Sequence, residues 1–293
     1  MFDVKAMFRV AAGIGVVVAG CGDSSGGSDC LECMQPAVIG ALGDPQIRET
    51  LGIVASAAHA GVWYVHNDAG DAARLFAIAD DGSLRATLTL DVPHVDWEDV
   101  ARGPCPAGQC LYIGDIGDND LARDALVVYR VAEPVQLVDS VLPAERLFFT
   151  YQDGPHDAET LLVDPQSGGI TVITKVDGGD SSIYEFPLPL RPGERVVLEP
   201  AGSFQPPTGS PRITGGDVHP DGTGVLLRTR SGVYYYSKRP EDSVASALAG
   251  HGCAGPKLDE EQGEAIAWAL DGEAYVSVGE GAGAALHRVG CGT

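Results

Sequence analysis

The chain reads as an all-β protein, a β-propeller of five blades by repeat count, or six if residues 180–212 divide further. Three observations lead there. With 39 glycines and 19 prolines in 293 residues, the chain is interrupted too often for long helices. Short runs rich in Val, Ile, Tyr and Phe alternate apolar with polar positions and are separated by Asp-Gly turns, the signal of antiparallel strands. One unit also recurs with a period of roughly forty to sixty residues and reads as four strands, which is the pattern of propeller blades. Propellers exceed two hundred residues as one domain, so residues 36–293 are read as a single propeller.

The N-terminus comes first. Residues 1–20 read as a signal peptide: Lys5 and Arg9 precede an apolar run from Val10 to Ala19 that is too short to span a bilayer. The run ends in VAGC (18–21), which resembles the lipobox of bacterial lipoproteins, and that resemblance makes Cys21 the lipid anchor. An ordinary cleaved signal that leaves Cys21 a thiol is the alternative. Residues 21–35 are expected to be a tether, because GDSSGGSD (22–29) has the Gly/Ser/Asp composition of flexible linkers. GDSSG (22–26) also fits G-x-S-x-G, but a nucleophile elbow needs a strand before it and a helix after it. The address is therefore extracytoplasmic, at a membrane reached through the Cys21 lipid, in the periplasm or at the cell surface.

With Cys21 set aside, six of the seven cysteines remain, which in an exported chain reads as three disulfides. Local spacing suggests Cys30–Cys33 and Cys105–Cys110, leaving Cys253–Cys291. CLEC (30–33) is otherwise half a metal site or a redox pair. No second C-x-x-C completes a zinc site and no βαβ pattern surrounds it, which favours a small local bridge.

The repeating units begin near GIVASAAHAGVWYVHNDAG (52–70), DWEDVARGPCPAGQCLYIGDIGDN (96–119), DAETLLVDPQSGGITVITKVDGG (157–179), GGDVHPDGTGVLLRTRSG (215–232) and GEAIAWALDGEAYVSVGEGAG (263–283). Each supplies two inner strands. The outer strands are expected at ARLFAIA and LRATLTL, ALVVYRV and ERLFFTY, SSIYEFP and RVVLEPA, and VYYYSKR and SVASALA. The fifth unit stops after AALHRVG and lacks an outer strand, whereas PAVIGALGDPQIRE (36–49) precedes the first unit and is unused by it. A propeller must join its last blade to its first, so the segment near 36–46 is expected to close the ring, with Cys253–Cys291 pinning the chain end beside it.

In an antiparallel blade the start of the innermost strand and the loop from the second strand to the third share one rim. The strand heads are DWED (96–99), DAET (157–160), GGDV (215–218) and QGEA (262–265), with RETLG (48–52) displaced by a residue or two. The loops are HNDAGD, GDIGDND, KVDGGD, RTRSG and GEGAG. This places Glu98, Glu159 and Glu264 in register, Asp99 and Asp217 one position later, and Asp68, Asp115 and Asp118 on loops, all toward one channel mouth. Converging carboxylates repel and raise one another's pKa unless compensated. Calcium, which takes six to eight oxygens, is the candidate cofactor. The plainer account is that Asp at strand ends bonds its own backbone or staples one blade to the next. GDIGDND does not match the EF-hand spacing.

His66 and His156 fall on the same rim and, with Glu98, are the candidate catalytic residues; His59 and His219 fall near turns of the opposite face. No H-x-x-x-H or H-E-x-x-H pair exists. Arg228, Arg230 and Lys175 are the rim cations. The net charge of −22 repels phosphate backbones and anionic lipid, which excludes nucleic acid as a partner and leaves cations, small polar ligands and proteins. A monomer is expected.

W-x-x-H-N-D-x-G (63–70), D-W-E-D-V-A (96–101), I-G-D-I-G-D-N (113–119) and Q-G-E-A-I-A-W (262–268) together resemble a family of exported bacterial β-propeller proteins that mostly carry no assigned activity. More remotely, the acidic rim is similar to those of calcium-dependent propellers, the gluconolactonase and paraoxonase group and the β-propeller phytases, with D-A-E (157–159) phytase-like. A phytase rim needs several basic residues to hold phosphates, and few stand here. The expected function is a lipid-anchored, non-enzymatic binding or scaffold module with a cation or small polar ligand on the rim. The alternative is a calcium-dependent hydrolase of lactonase or phosphoesterase type.

Overall fold

The structure, a computed structural model, describes residues 30–260 and 262–292. The signal peptide, Cys21 and the 22–29 part of the tether lie outside the described residues. Five sheets stand around one axis as the blades of a propeller. The chain enters through β1 (Glu32–Cys33) and β2 (Ala37–Ala41). The first blade is β3 (Thr50–Ala55), β4 (Val62–Asn67), β5 (Arg74–Ala79) and β6 (Leu84–Leu90), and the second opens with β7 (Trp97–Cys105), β8 (Gly108–Asp115) and β9 (Leu126–Ala132). After β10 (Ser140–Leu142), β11 (Glu145–Tyr151) completes it. The third blade is β12 (Ala158–Val163), β13 (Ile170–Thr174) and β14 (Ser181–Glu185), then, past β15 (Arg195–Leu198), β16 (Pro200–Phe204). The fourth is β17 (Ile213–Val218), β18 (Gly224–Thr229), β19 (Gly232–Ser237) and, after the helix α1 (Val244–Leu248), β20 (Gly252–Ala254). The fifth is β21 (Gly263–Trp268), β22 (Ala274–Gly279) and β23 (Ala285–Gly292).

Each innermost strand packs between those of its two neighbours, and the ring closes where β21 meets β3. Blades stack face on face, so both faces of the inner strands are buried. This is why β17, β18, β21 and β22 are buried at every position and β8 at all but its first two, rather than at alternate ones. The core is correspondingly divided into five clusters, one per pair of adjacent blades. Tyr112 and Phe149 meet Leu161 and Val172 between the second and third blades, and Trp268 and Tyr275 meet Leu226 between the fifth and fourth.

Ring closure follows the expectation from the chain ends: β2 pairs antiparallel with β23 as the outer strand of the fifth blade. It passes so close to the β5–β6 turn that a Cβ on Gly82, which has φ of 82°, would lie 2.0 Å from the Ala41 carbonyl oxygen. The stretch 180–212 adds no sixth blade. Its strand RVVL crosses to the second blade as β15, parallel to β11, and the third blade takes β16 as its outer strand instead. In the same way β10 adds a parallel fifth strand to the first blade, so four strands per blade is the minimum rather than the rule.

Two further expectations are corrected. Residues 244–248 form a helix, not a strand: Ser243 caps it by accepting the Ser246 N–H, and alanine, the best helix former, fills two of its five positions. The disulfides are Cys30–Cys253, Cys33–Cys291 and Cys105–Cys110, so only the last matches the sequence-based pairing. Cys33 stands directly opposite Cys291 in the β1–β23 pair. An extended run of three residues covers about 10 Å, too far for Cys30 to bridge Cys33 without a turn. Three disulfides are consistent with an extracytoplasmic protein. No helix among the described residues is long and apolar enough to cross a membrane.

Candidate functional site

In every blade the register of the inner hairpin slips by one residue at the same place. The slip falls between Thr50 and Gly52, Trp97 and Asp99, Ala158 and Thr160, Ile213 and Gly215, and Gly263 and Ala265. The residues left over are Leu51, Glu98, Glu159, Thr214 and Glu264. A β-bulge re-aims the extra side chain out of the strand's alternation, so the fold presents three glutamates at equivalent points of one channel mouth. They are close enough for the charge of Glu159 to raise the pKa of both Glu98 and Glu264.

Glu98 is the most constrained of the three. It is buried and accepts no hydrogen bond among the described residues. Burial first, then Glu159 and Asp96, pushes its pKa well above the carboxylate range, against the opposing pull of Lys175. Gly117 makes room for it, since a Cβ there would lie 2.3 Å from Glu98 Oε1 and 2.4 Å from Asp96 Oδ2. Asp96 is itself half-buried, with a pKa raised by burial and then by Asp68 and Asp157. Glu159, by contrast, has a cation: the Lys175 ammonium bridges it to Asp157, the latter at 3.2 Å. Burial still raises the Glu159 pKa. Glu264 is pushed up to about 7, by burial and then by Glu159, with Arg230 3.8 Å away.

The other acidic candidates also accept hydrogen bonds within the fold. Asp115 pairs with Arg123 at 2.6 Å and accepts from the amides of Val95 and Asp96. Asp118 accepts from the amides of Ala122 and Arg123, folding its own loop, while its N–H donates to Asp157 at 2.8 Å. Asp68 accepts the N–H of Ala69 next to it. Asp99 and Asp217 lie deeper and are not equivalent: Asp99 directly follows its bulge, whereas Asp217 stands three residues past Thr214. Both accept backbone amides of the next blade, Leu161 and Trp268 respectively, each at 2.9 Å. Alternation counting misses Asp96 and Asp157 as site residues, although the D-x-E heads D-W-E and D-A-E contain them.

The histidines divide. His156 is half-buried, 3.1 Å from Asp153 and packed against Tyr151 and Tyr184. His66 is fully buried: Nδ1 donates to the Asn67 carbonyl at 3.0 Å, and Nε2, beside Gly52, has no partner among the described residues. Burial lowers its pKa to about 4. Arg228 is buried and held by Glu260 at 2.7 Å, so among the rim cations Lys175 and Arg230 are the ones that face the glutamates.

A calcium shell of six or more oxygens at about 2.4 Å keeps those oxygens within roughly 5 Å of one another. The donors at the mouth are of the right kind. Among the described residues, however, no three of their side chains bring ligand atoms within 4.8 Å; the group that does so is Cys30, His251 and Cys253. Grooves of about 400 and 360 Å³ lie elsewhere, one on the opposite rim beside Trp63 and Asp80, the other outside the mouth between Leu121 and Tyr151.

No protein-family model matches the chain, and no curated protein matches it in sequence. Among solved structures, a gluconolactonase from Xanthomonas campestris is similar, with a TM-score of 0.50 over 89% of this chain and 96% of that one at 14% identity. That likeness is one of fold, a remote resemblance to the gluconolactonase group of propellers.

Proposed function

We propose that the protein is a lipid-anchored, extracytoplasmic binding module, not an enzyme, whose acidic channel mouth takes a cation or a small polar ligand. The observation that carries this reading is Glu98: a buried carboxylate beside Asp96 that accepts no hydrogen bond among the described residues, its pKa pushed well up by burial and then by Glu159 and Asp96. A buried charge without a partner is costly, and an incoming ammonium, metal ion or hydroxyl relieves that cost. Lys175 and Arg230 already balance Glu159 and Glu264, so the unfilled demand is local to Glu98 and Asp96. The lipid on Cys21 and the tether that follows hold the domain at a membrane.

The test is a thermal melt of the mature, oxidised protein carrying Cys21→Ser, first in EDTA and then with calcium, magnesium, putrescine or tetramethylammonium. A ligand that binds only the folded state raises the midpoint. The expected result is a rise with at least one cation that is absent in Glu98→Gln. A flat response to all of them sinks the reading.

One observation favours a hydrolase. His66, with Nδ1–H committed to a carbonyl and a pKa lowered to about 4 by burial, is a neutral imidazole with a free Nε2 lone pair, the form a general base needs. In that case the substrate is a lactone or phosphoester and calcium assists. Turnover of such a panel, lost on chelation and in Glu98→Gln, would replace the binding module with this second reading.

A further inference from the structure

At the outer edge of the fourth blade, three strands out from the channel, Cys30, His251 and Cys253 bring one ligand atom each within 4.8 Å of the other two. His251 directly precedes β20 and Cys253 lies within it; two residues apart in extended chain, they present their side chains to one face. Cys30 arrives from the N-terminal segment and is bonded to Cys253. We infer that reduction of Cys30–Cys253 converts this cluster into a two-thiolate, one-imidazole binding site for zinc, independent of the channel mouth.

The geometry suits both states. Two thiolates on a tetrahedral zinc ion, at about 2.3 Å each, stand about 3.8 Å apart. The Cys30 and Cys253 Cα atoms are 5.6 Å apart, a separation that serves a disulfide and a chelate alike, so side-chain rotation suffices and the backbone stays. The segment also stays. Cys33–Cys291 and the β1–β23 pairing hold it three residues further on. Access favours attack at Cys30, which is exposed, as is His251, whereas Cys253, Cys33, Cys105 and Cys291 are half-buried and Cys110 is buried.

The chemistry balances with an external thiol as reductant. Its thiolate attacks Cys30 Sγ and displaces Cys253; a second thiol resolves the mixed disulfide. Two electrons pass to the protein, giving two cysteine thiols and one external disulfide. Zinc then displaces both thiol protons, His251 supplies a neutral nitrogen, and water fills the fourth position. Oxidation reverses the first step and expels the ion.

The experiment uses the mature protein with Cys21→Ser, reduced by limiting dithiol until one disulfide opens, with the freed thiols mapped by alkylation and mass. Zinc is titrated against a chromophoric chelator and cobalt serves as the spectroscopic probe. The expected result is one equivalent of zinc and a thiolate-to-cobalt charge-transfer band in the reduced protein. His251→Ala should bind at least tenfold more weakly, and the oxidised protein should bind none. His251 is exposed, so its removal leaves the fold intact, and a melt checks this. Zinc affinity unchanged in His251→Ala, affinity no greater than in Cys253→Ser, or Cys33–Cys291 opening first would each overturn the inference.

Discussion

Asp99 in the second blade accepts the backbone N–H of Leu161 in the third at 2.9 Å, while its other oxygen takes the amide of Val100 at 2.8 Å. Asp217 repeats the device between the fourth and fifth blades, with Trp268 and Val218. Neighbouring blades stack rather than pair, so no sheet ladder joins their innermost strands. These two carboxylates tie innermost strands across blade boundaries, as the Thr214 hydroxyl does by donating to the Gly263 carbonyl at 2.9 Å. The cost is charge in the interior: burial drives the Asp99 pKa well above its ordinary value and that of Asp217 up to about 6.

Asp99→Asn should therefore destabilise the propeller despite being isosteric. The amide has one oxygen, so either Val100 or Leu161 loses its acceptor and faces an NH₂ group instead. Leaving one buried donor unsatisfied costs about 1–3 kcal/mol. Urea unfolding at pH 7 is expected to show a lower midpoint at unchanged slope. A variant as stable as wild type would mean that Asp99 does not bridge the blades.

A different buried group ties the fourth blade to the fifth. Arg228 donates to Glu260 at 2.7 Å, and Glu260 also accepts from Ser277 at 3.1 Å and His287 at 3.0 Å. Gly263 leaves the space, since a Cβ there would overlap the guanidinium. Arg228→Met strands a carboxylate whose side chain is only 3% exposed, and should cost about 3–5 kcal/mol. Arg228→Met combined with Glu260→Gln removes both charges and should recover most of it. Denaturant melts of the two variants decide whether the damage comes from the lost pair or from the stranded charge.

Much of this architecture is legible in the sequence because it repeats. Five inner hairpins, their Asp-Gly turns and the unused segment before the first unit specify a closed ring. What the sequence hides is long-range or local in a way that periodicity averages out. The Cys30–Cys253 and Cys33–Cys291 partners are more than two hundred residues apart, and only the closed ring brings them together. RVVL looks like any outer strand, and nothing local says that β15 crosses to the blade before its own. At the site, the three glutamates are read correctly as a register. The bulge that singles them out, and separates Asp99 from Asp217, is a hydrogen-bonding feature with no compositional mark. Lys175 reads as a rim cation, but its bridging of Asp157 and Glu159 is a matter of geometry alone.

The mouth should make stability depend on pH through Glu264. Its folded pKa of about 7 lies above the ordinary 4.5, through burial and then Glu159. The folded state therefore holds the proton more tightly than the unfolded chain. The corresponding stability is fully present below pH 4.5 and is lost as pH rises towards 7, an effect of about 3 kcal/mol. His66 works in the opposite sense: with its pKa lowered to about 4 from 6.5, its contribution is complete above pH 6.5 and fades as pH falls. Comparing wild type with Glu264→Gln cancels the histidine. Relative to wild type, the variant should gain stability steadily between pH 4.5 and 7.5. A constant difference would mean that Glu264 ionises normally.

The chain ends offer the sharpest quantitative prediction, because two disulfides share one task. Cys33–Cys291 spans 258 residues and Cys30–Cys253 spans 223, and either bond alone closes the ring. While one remains, opening the other releases only the short path through residues 30–33 and 253–291. The chain-entropy relation puts that at about 4 kcal/mol, whereas opening the last bond releases the whole ring, about 5.5 kcal/mol more. Losing both bonds should thus cost more than twice the loss of either. Cys105–Cys110, closing a hairpin between β7 and β8 with a sequence separation of 5, should cost only about 2 kcal/mol. Serine pairs at each bridge, melted singly and together, test the order. If the two N-terminal bridges proved additive and equal to the hairpin bridge, the segment from Cys30 to Ala41 would be an ornament on the fifth blade. Superadditive loss is what a ring held shut by its own N-terminus requires.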